Sequence, residues 1–263
     1  MSRPKKPPRW LEAARVRDSG GDGEWLARAL SRAGVLPQAE AEEAIRQRRV
    51  KLDSREVMEP MSPVGPKSRV TVDGHPVSLS WRTQVIMLHK PAGAVAHGSD
   101  KKATSTVFDT LRSALPPELV RFGWHSVGRL DRDTTGLLLF TNDERFVAHA
   151  TAPATHLPKT YVARVGVKVT SEKLEPLRNG VLIDDGEVTR PAKAFPRGED
   201  SVELVLTEGR FHQVKRMLNA VGLPTLALHR EAVGELMLDV EVGTCRPLTD
   251  AEVREKLGYT PRS

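Results

Sequence analysis

A dense run of charged and small polar residues directly precedes an apolar segment near the middle of the chain, and it restricts the fold more than any other feature. The run is His125-Ser-Val-Gly-Arg-Leu-Asp-Arg-Asp-Thr-Thr-Gly136, and the apolar segment is Leu137-Leu-Leu-Phe-Thr141. Charges next to a buried strand must lie at the rim of a hydrophobic core, because an unpaired charge inside it is too costly. Asp131 and Asp133 therefore either organise a turn or cap, the common role of Asp, or serve as reactive carboxylates.

A second polar run lies further along the chain, in Glu208-Gly-Arg-Phe-His-Gln-Val-Lys-Arg-Met217. It places Arg210, Lys215 and Arg216 around the predicted start of a helix. Such a cluster is either an ordinary basic surface helix or a partner for a phosphate or carboxylate group.

Hydrophobic periodicity predicts an α+β fold for the larger part of the chain, from about residue 84 to 257. The apolar run Val85–Leu88 and the alternation in Ser201–Thr207 predict strands. Helical spacing over Ser171–Arg178 and His212–Val221 predicts helices, and a short helix is expected at Ser105–Leu111. Further strands are expected at Thr225–His229 and Leu236–Val242. We expect a mixed sheet with helices packed against it.

The N-terminal segment carries most of the net charge. Residues 1–17 hold six basic residues and one acidic residue, out of a formal net charge of +6 for the whole chain. The density of Pro and Gly up to residue 23 predicts a disordered basic tail over residues 1–23. The tail is either a solubilising extension or an arm that adds salt-sensitive affinity for phosphate.

A small module is predicted between the tail and the larger region, over residues 24–75. Two short helices precede a basic segment, Arg46-Gln-Arg-Arg-Val-Lys51, and short strands are expected at Val50–Leu52 and Arg69–Gly74. The basic segment is either a solvated face that offsets neighbouring glutamates or a contact surface for nucleic acid.

Several function classes are excluded by the sequence. One cysteine, Cys245, cannot form an intramolecular disulfide or a multi-thiolate zinc site. The chain has no phosphate loop, dinucleotide-binding fingerprint, zinc-protease motif or nucleophile elbow, and its histidines lack metal-ligand spacing. No apolar run reaches the ~18 residues of a membrane span, and the basic N-terminus lacks the apolar centre of a secretory signal. We therefore expect a cytoplasmic protein without metal, cofactor or membrane partner.

The small module resembles the S4 RNA-binding domain of bacterial ribosomal proteins and RNA-modifying enzymes, in its helix pair, basic helix end and small strands. The resemblance implies RNA contacts from Arg46, Arg48, Arg49 and Lys51. Where that domain usually has Val-Asn-Gly after the strand, this chain has Leu52-Asp-Ser54.

Four ordered blocks resemble the pseudouridine synthases of the RsuA/RluB family. They are Lys90-Pro91 with Gly93, Gly128-Arg-Leu-Asp-Arg-Asp-Thr-Thr-Gly-Leu-Leu138, Lys159-Thr-Tyr161, and the second polar run from Glu208 to Met217. The resemblance covers about residues 24–257 and implies an S4-like module followed by a catalytic domain over residues 84–257. That domain would have a mixed, mostly antiparallel sheet flanked by helices.

The resemblance also implies a reaction and a set of site residues. Asp131 would act as the nucleophile on the target uridine, with Asp133 as its rival by proximity alone. Tyr161 would stack on the uracil, although a strand core role with a satisfied hydroxyl is the alternative, and Lys215 would pair with Asp131. Arg129, Arg210 and Arg216 would contact RNA.

The implied substrate is ribosomal RNA, alone or in an assembling particle, and the implied protein is a monomer. The stretch Leu228-His-Arg-Glu231 is most similar to the branch that acts on small-subunit rRNA. The alternatives are the same reaction on large-subunit rRNA and a non-catalytic RNA-binding factor in ribosome assembly.

Overall fold

The computed structural model describes residues 24–65, 67–79, 82–96, 105–155 and 157–262. The predicted tail, residues 1–23, lies outside this part of the chain. The described residues form two compact units. The first holds residues up to Arg82 together with Arg121–Gly123, and the second holds Thr83–Val120 and the chain from Trp124 onward.

The first unit combines a helix pair with two small antiparallel sheets. Its helices are α1 (Leu26–Arg32) and α2 (Gln38–Arg46), and its strands are β1 (Glu24–Trp25), β2 (Val50–Leu52), β3 (Arg55–Glu56), β4 (Pro63–Val64), β5 (Val70–Val72) and β6 (His75–Val77). One sheet has the order β3-β2-β5-β6, and the other pairs β1 with β4. Leu30 of α1, Ile45 of α2 and Val50 of β2 are fully buried in one apolar cluster. The assignment of residues 24–75 to an S4-like module stays a prediction.

The turn between β2 and β3 has an unusual backbone for its residues. Asp53 and Ser54 have φ angles of 49° and 68°. Two consecutive positive φ angles are typical of a type I′ hairpin turn, which favours Asn-Gly or Asp-Gly. Asp53 is held by Arg69, whose backbone O accepts from the Asp53 N at 2.8 Å and whose N donates to Asp53 Oδ1 at 2.9 Å. Ser54 therefore occupies a position that favours glycine.

The second unit is a large sheet with helices against it. Its strands are β7 (Val85–Lys90), β8 (His125–Val127), β9 (Thr135–Thr141), β10 (Lys159–Val165), β11 (Lys193–Pro196), β12 (Ser201–Leu206), β13 (Thr225–Val233), β14 (Leu236–Met237) and β15 (Cys245–Pro247). Its helices are α3 (Val107–Ala114), α4 (Pro117–Val120), α5 (Glu144–Thr151), α6 (Ser171–Asn179), α7 (Gln213–Ala220) and α8 (Asp250–Leu257), with a 3₁₀ turn at Pro153–Thr155.

The sheet of the second unit is mixed and mostly antiparallel. Its main order is β11-β12-β10-β13-β9-β7-β15, with β14 on β13 and β8 on β9. Among the described strands the β9–β13 pair is parallel, and the other pairs in this sheet are antiparallel. The α+β fold class predicted from the sequence is confirmed.

Strand β9 is apolar along its length because both faces of the sheet are covered. Leu137 and Leu139 pack into one buried cluster with α5 and α8, whereas Leu138 and Phe140 pack into another with α3. Side chains alternate between the two faces of a strand, so a strand covered on both sides needs a continuous apolar run. The run from Leu137 therefore marks the centre of the unit.

Gly136 allows β13 to approach β9. Its φ is 110°, and a Cβ atom at this position would lie 2.3 Å from the backbone O of Arg230 and 2.6 Å from its N. Arg230 is the register partner of Gly136 in the parallel pair. A side chain at residue 136 would therefore push apart the two strands that support the candidate site.

Some predicted element boundaries are wrong. The strand predicted at Leu236–Val242 pairs only over Leu236–Met237. Beyond Met237 the chain no longer pairs with β13, and Asp239 forms an ion pair with Arg246 of β15.

No helix in the described part of the chain combines the length and the apolar character that crossing a bilayer requires.

Candidate active site

A buried lysine holds the loop that carries the two candidate carboxylates. Lys90, at the end of β7, is fully buried, and its Nζ donates to three backbone oxygens: Pro91 at 3.0 Å, Arg132 at 3.1 Å and Thr134 at 2.7 Å. The Gly93 N also donates to the Arg132 O, at 2.7 Å. The Lys90-Pro91 block is thus an anchor for the loop between β8 and β9.

The environment of Lys90 disfavours its charged form. Burial lowers the pKa of Lys90 to about 8, and the charges of Asp133 and Asp131 oppose this shift only in part. The three carbonyl oxygens provide hydrogen bonds that a buried ammonium group needs.

The Asp131 carboxylate faces helix α7 and the residue before it. Its Oδ2 lies 3.5 Å from Lys215 Nζ, and its Oδ1 lies 3.3 Å from His212 Nε2. The backbone O of Asp131 accepts from the Thr134 N at 3.1 Å. Asp131 thus shapes the turn through its backbone, while its side chain, 26% exposed, meets two basic groups.

Lys215 is shared between two carboxylates. Its Nζ is 2.6 Å from Asp133 Oδ1, closer than to Asp131, and the Asp133 side chain is 71% exposed. Partial burial would raise the pKa of Asp133, but the hydrogen bond and charge of Lys215 outweigh it and lower this pKa. The expected contact between Lys215 and Asp131 is present, but it is the longer of the two.

The segment before α7 is fixed by Glu208 and Gln213. Glu208 Oε1 accepts from the Arg190 N at 2.9 Å and from Gln213 Nε2 at 2.5 Å, and Gln213 Oε1 accepts from the Arg210 N at 2.8 Å. These bonds support a left-handed backbone at His212, whose φ is 50°. This conformation brings the His212 ring to Asp131 and stacks it on Phe211, with ring centroids 3.7 Å apart.

Tyr161 lies on strand β10, which β13 separates from β9 in the sheet. Its register partner on β13 is Arg230, which is 4% exposed. Arg230 Nη1 is 3.4 Å from the Tyr161 hydroxyl, and Arg230 Nε donates to the Leu137 O at 2.7 Å. No role was predicted for Arg230 from the sequence, although the polar run His229-Arg-Glu231 inside β13 could have marked it.

The two polar runs and Tyr161 meet at one cavity of about 440 Å³ within the second unit. Its apolar wall includes Leu139 and Val233. Its polar lining consists of Arg129, Asp131, Thr151, Lys159, Tyr161, Thr207, Glu208, Arg210, His212 and Arg230. A carboxylate held beside basic groups, in a cavity that an aromatic ring also lines, can attack an electrophilic carbon of a ligand the size of a nucleoside.

The predicted RNA-binding arginines of this unit differ in their surroundings. Arg129 is exposed and lines the cavity. Arg210 lies 3.2 Å from Glu187 and 3.6 Å from Glu208, and Arg216 pairs with Asp184 and Asp185. The last two arginines are therefore neutralised within the protein. The RNA-binding role of all three stays a prediction.

The four basic residues predicted in the first unit also fall into two groups. Arg46 pairs with Glu42 at 3.2 Å, and Arg49 with Asp73 at 2.6 Å. Arg48 and Lys51 are exposed, and neither forms an ion pair with any residue of the described chain. Within the same described residues, no group of three or more His, Cys, Asp or Glu side chains could hold a metal ion.

Comparison with known proteins identifies the family of the chain. Residues 84–220 match the family model described as RNA pseudouridylate synthase. The chain is 35% identical over 221 residues to ribosomal small subunit pseudouridine synthase A of Escherichia coli (strain K12), covering 83% of this chain and 93% of that protein. It is 34% identical over 236 residues to an uncharacterized RNA pseudouridine synthase of Bacillus subtilis (strain 168), covering 87% and 96%.

A solved structure agrees with these sequence matches. A crystal structure of a pseudouridylate synthase superposes with a TM-score of 0.61 at 32% identity, over 89% of this chain and 99% of that chain. The cavity and its carboxylate thus belong to an RNA-modifying isomerase. The chain is a member of the RNA pseudouridylate synthase family, which confirms the resemblance found in the sequence.

Proposed function

We propose that this enzyme converts one uridine of small-subunit ribosomal RNA to pseudouridine, with Asp131 as the nucleophile. The observation that carries the role of Asp131 is the position of its carboxylate on the cavity, 3.5 Å from Lys215 Nζ and 3.3 Å from His212 Nε2. The choice of substrate is supported by the relatives named ribosomal small subunit pseudouridine synthase A, which this chain matches over most of their length. A cytoplasmic site of action follows from that substrate.

The reaction needs an ionised carboxylate beside the sugar and the base of the target uridine. The bond between N1 of uracil and C1′ of the ribose breaks, the base turns, and C5 bonds to C1′. C5 loses its proton and N1 gains one, so the composition of the nucleotide is unchanged. Asp131 acts either by attacking the nucleotide or by stabilising a glycosidic intermediate, and Lys215 Nζ lies 3.5 Å from its Oδ2.

Tyr161 and Arg129 have supporting roles in this proposal. The Tyr161 ring lines the cavity and offers a face on which uracil can stack. Extrusion of a nucleotide from its stack costs a few kcal/mol, which basic contacts to the RNA backbone can offset. Arg129 supplies such a contact beside the cavity, and the S4-like module supplies others.

A pseudouridine map of total rRNA from source cells that lack this gene tests the reaction and its target together. Loss of one site in small-subunit rRNA is expected, with restoration by the intact gene. Asp131→Asn should fail to restore it, whereas Asp133→Asn should restore it because that exposed carboxylate lies outside the cavity lining.

The same map separates the alternatives. Loss of a site in large-subunit rRNA would correct the substrate and keep the reaction. Restoration by Asp131→Asn would show that another residue is the nucleophile. An rRNA map unchanged by deletion would contradict the proposed substrate and favour a different RNA or a binding role in ribosome assembly.

A further inference from the structure

Two basic side chains share the cavity with Tyr161 and have no role in the proposed chemistry. Lys159 and Tyr161 are two residues apart on β10, so their side chains leave the same face of the strand. Arg230 on β13 is the register partner of Tyr161. All three residues line the cavity that holds Asp131.

Neither cation has an acidic partner among the described residues. Lys159 Nζ donates to the Ala150 O at 3.4 Å, a long contact with a neutral group. Arg230 contacts the Leu137 O through Nε and the Tyr161 hydroxyl through Nη1, and both partners are neutral. Burial, and then the charge of Arg230, lower the pKa of Lys159 to about 8.

Three basic side chains of the second polar run contrast with this pair. Lys215, Arg210 and Arg216 each form ion pairs with carboxylates. Two like charges that are withdrawn from water without a counter-ion destabilise the folded protein. Such an arrangement is favourable when an anionic ligand supplies the missing negative charge.

We propose that Lys159 and Arg230 form a phosphate subsite, which binds a phosphate of the RNA backbone adjacent to the uridine at Asp131. The inference rests on the proposed function, because it gives the substrate its position in the cavity. Arg230 uses its Nε to hold the Leu137 O and one hydrogen of Nη1 to contact Tyr161, so Nη2 and the second hydrogen of Nη1 remain for the phosphate oxygens. Lys159 adds a compact point charge from the next strand.

The subsite would also connect phosphate binding to the aromatic ring of the site. Arg230 Nη1 contacts the Tyr161 hydroxyl, and the Arg230 guanidinium carbon lies 5.9 Å from the centre of the Tyr161 ring. Docking of a phosphate on Arg230 would therefore hold Tyr161 in place at the moment the base enters.

The test uses short RNAs that contain the mapped uridine, with a neutral methylphosphonate at one flanking phosphate at a time. Lys159→Gln removes one charge of the subsite. The matched control is Lys193→Gln, which removes an exposed lysine on the edge strand β11. Dissociation constants are measured for each protein with each RNA over a range of salt concentrations.

Lys159→Gln should raise the Kd about tenfold, as expected for one lost charge-assisted hydrogen bond, and reduce the salt slope by about one. Methylphosphonate on one side of the uridine should weaken binding to the wild-type protein by a similar factor. The same RNA should bind Lys159→Gln with little further loss, because the contact is already absent. Lys193→Gln should bind every RNA as the wild type does.

Two outcomes would overturn the subsite. In one, the losses of affinity caused by the methylphosphonate and by Lys159→Gln multiply when the two changes are combined. In the other, the wild-type protein binds equally well when either phosphate that flanks the uridine is replaced by methylphosphonate. Failure of the subsite is distinguishable from failure of the proposed function. If the wild-type protein forms no pseudouridine in rRNA, the function is wrong. If it does, and Lys159→Gln binds and turns over like Lys193→Gln, only the subsite is wrong.

Discussion

Lys90 is a charged residue that the protein must hold in a site unfavourable to its charge. Its pKa falls from 10.5 in the unfolded chain to about 8 in the folded protein, because of burial. Between these two values the unfolded state binds more protons than the folded state, so the free energy of unfolding rises with pH. The slope is at most about 1.4 kcal/mol per pH unit for one such group.

A comparison of the wild type with Lys90→Met at pH 7.5, 9 and 10 tests this pH dependence. Urea unfolding of the wild type should gain free energy relative to Lys90→Met as the pH rises, because the variant lacks the titrating group. Lys159 shifts in the same direction, but it is present in both proteins and cancels in the difference. Parallel pH profiles would show that Lys90 has an ordinary pKa.

Gly136 should tolerate no side chain. Gly136→Ala combines a φ of 110° with a Cβ 2.3 Å from a backbone oxygen, and a strand backbone cannot move aside as a flexible side chain can. We expect a loss of about 3 kcal/mol or more in the free energy of unfolding. Gly198→Ala is the matched control, since its φ is 105° and nothing lies within 4 Å of the added carbon.

The Gly198→Ala control separates the destabilisation caused by the close approach of the strands from that caused by backbone strain. Gly198→Ala should cost only about 1–2 kcal/mol, the strain of a left-handed alanine. Equal losses in the two variants, measured by urea unfolding, would mean that β9 and β13 do not approach as closely as Gly136 allows.

Individual site residues could be predicted from the sequence only where a local pattern carries them. Asp131, Tyr161 and Lys215 lie in contiguous blocks, and the structure brings all three blocks together. The contacts of Arg230 are different in kind, because Leu137 and Tyr161 are distant in the sequence and meet Arg230 only through strand pairing. No local periodicity reports such a contact.

At the scale of elements, the hairpin turn between β2 and β3 predicts a stabilising substitution. Ser54 has a φ of 68° in a two-residue turn, and Ser54→Gly creates the favourable Asp-Gly pair. We expect the free energy of unfolding of the first unit to rise by about 1 kcal/mol. Thermal unfolding of the two proteins followed by circular dichroism measures the difference.

The second hairpin of the same unit supplies a control in the opposite direction. The turn between β5 and β6 already has Asp-Gly, with φ angles of 52° at Asp73 and 80° at Gly74. Gly74→Ser should therefore destabilise the unit by a similar amount. If Ser54→Gly has no effect while Gly74→Ser destabilises, the first turn has a different backbone in solution.

The types of most elements could be predicted from periodicity, but their ends could not. The strand expected at Thr225–His229 continues to Val233, because β10 pairs with its later residues and β14 pairs with Ala232 and Val233. The helix expected at Ser105–Leu111 begins at Val107, after a capping box between Thr106 and Asp109. Partner strands and caps decide where an element stops, and periodicity contains neither.

At the scale of the whole molecule, the chemistry is proposed for one unit of the chain, and a separate set of RNA contacts is predicted in the other. The proposed nucleophile lies in the second unit, and the S4-like RNA contacts are predicted in the first. Arg46 and Arg49 already form ion pairs with Glu42 and Asp73. Their charges should therefore add little to the binding of an RNA phosphate. Arg48 and Lys51 have no such partner among the described residues and should carry the RNA contact.

Two double variants test this division. Arg48→Gln with Lys51→Gln should weaken RNA binding about tenfold or more at low salt and reduce the salt slope by up to about two. Arg46→Gln with Arg49→Gln removes the same formal charge and should change binding much less.

The rate of pseudouridine formation with saturating enzyme should be unchanged in both double variants, because the cavity lies in the other unit. Equal losses of affinity would show that the first unit attracts RNA through its total charge, and a lower rate at saturation would show that it also positions the uridine.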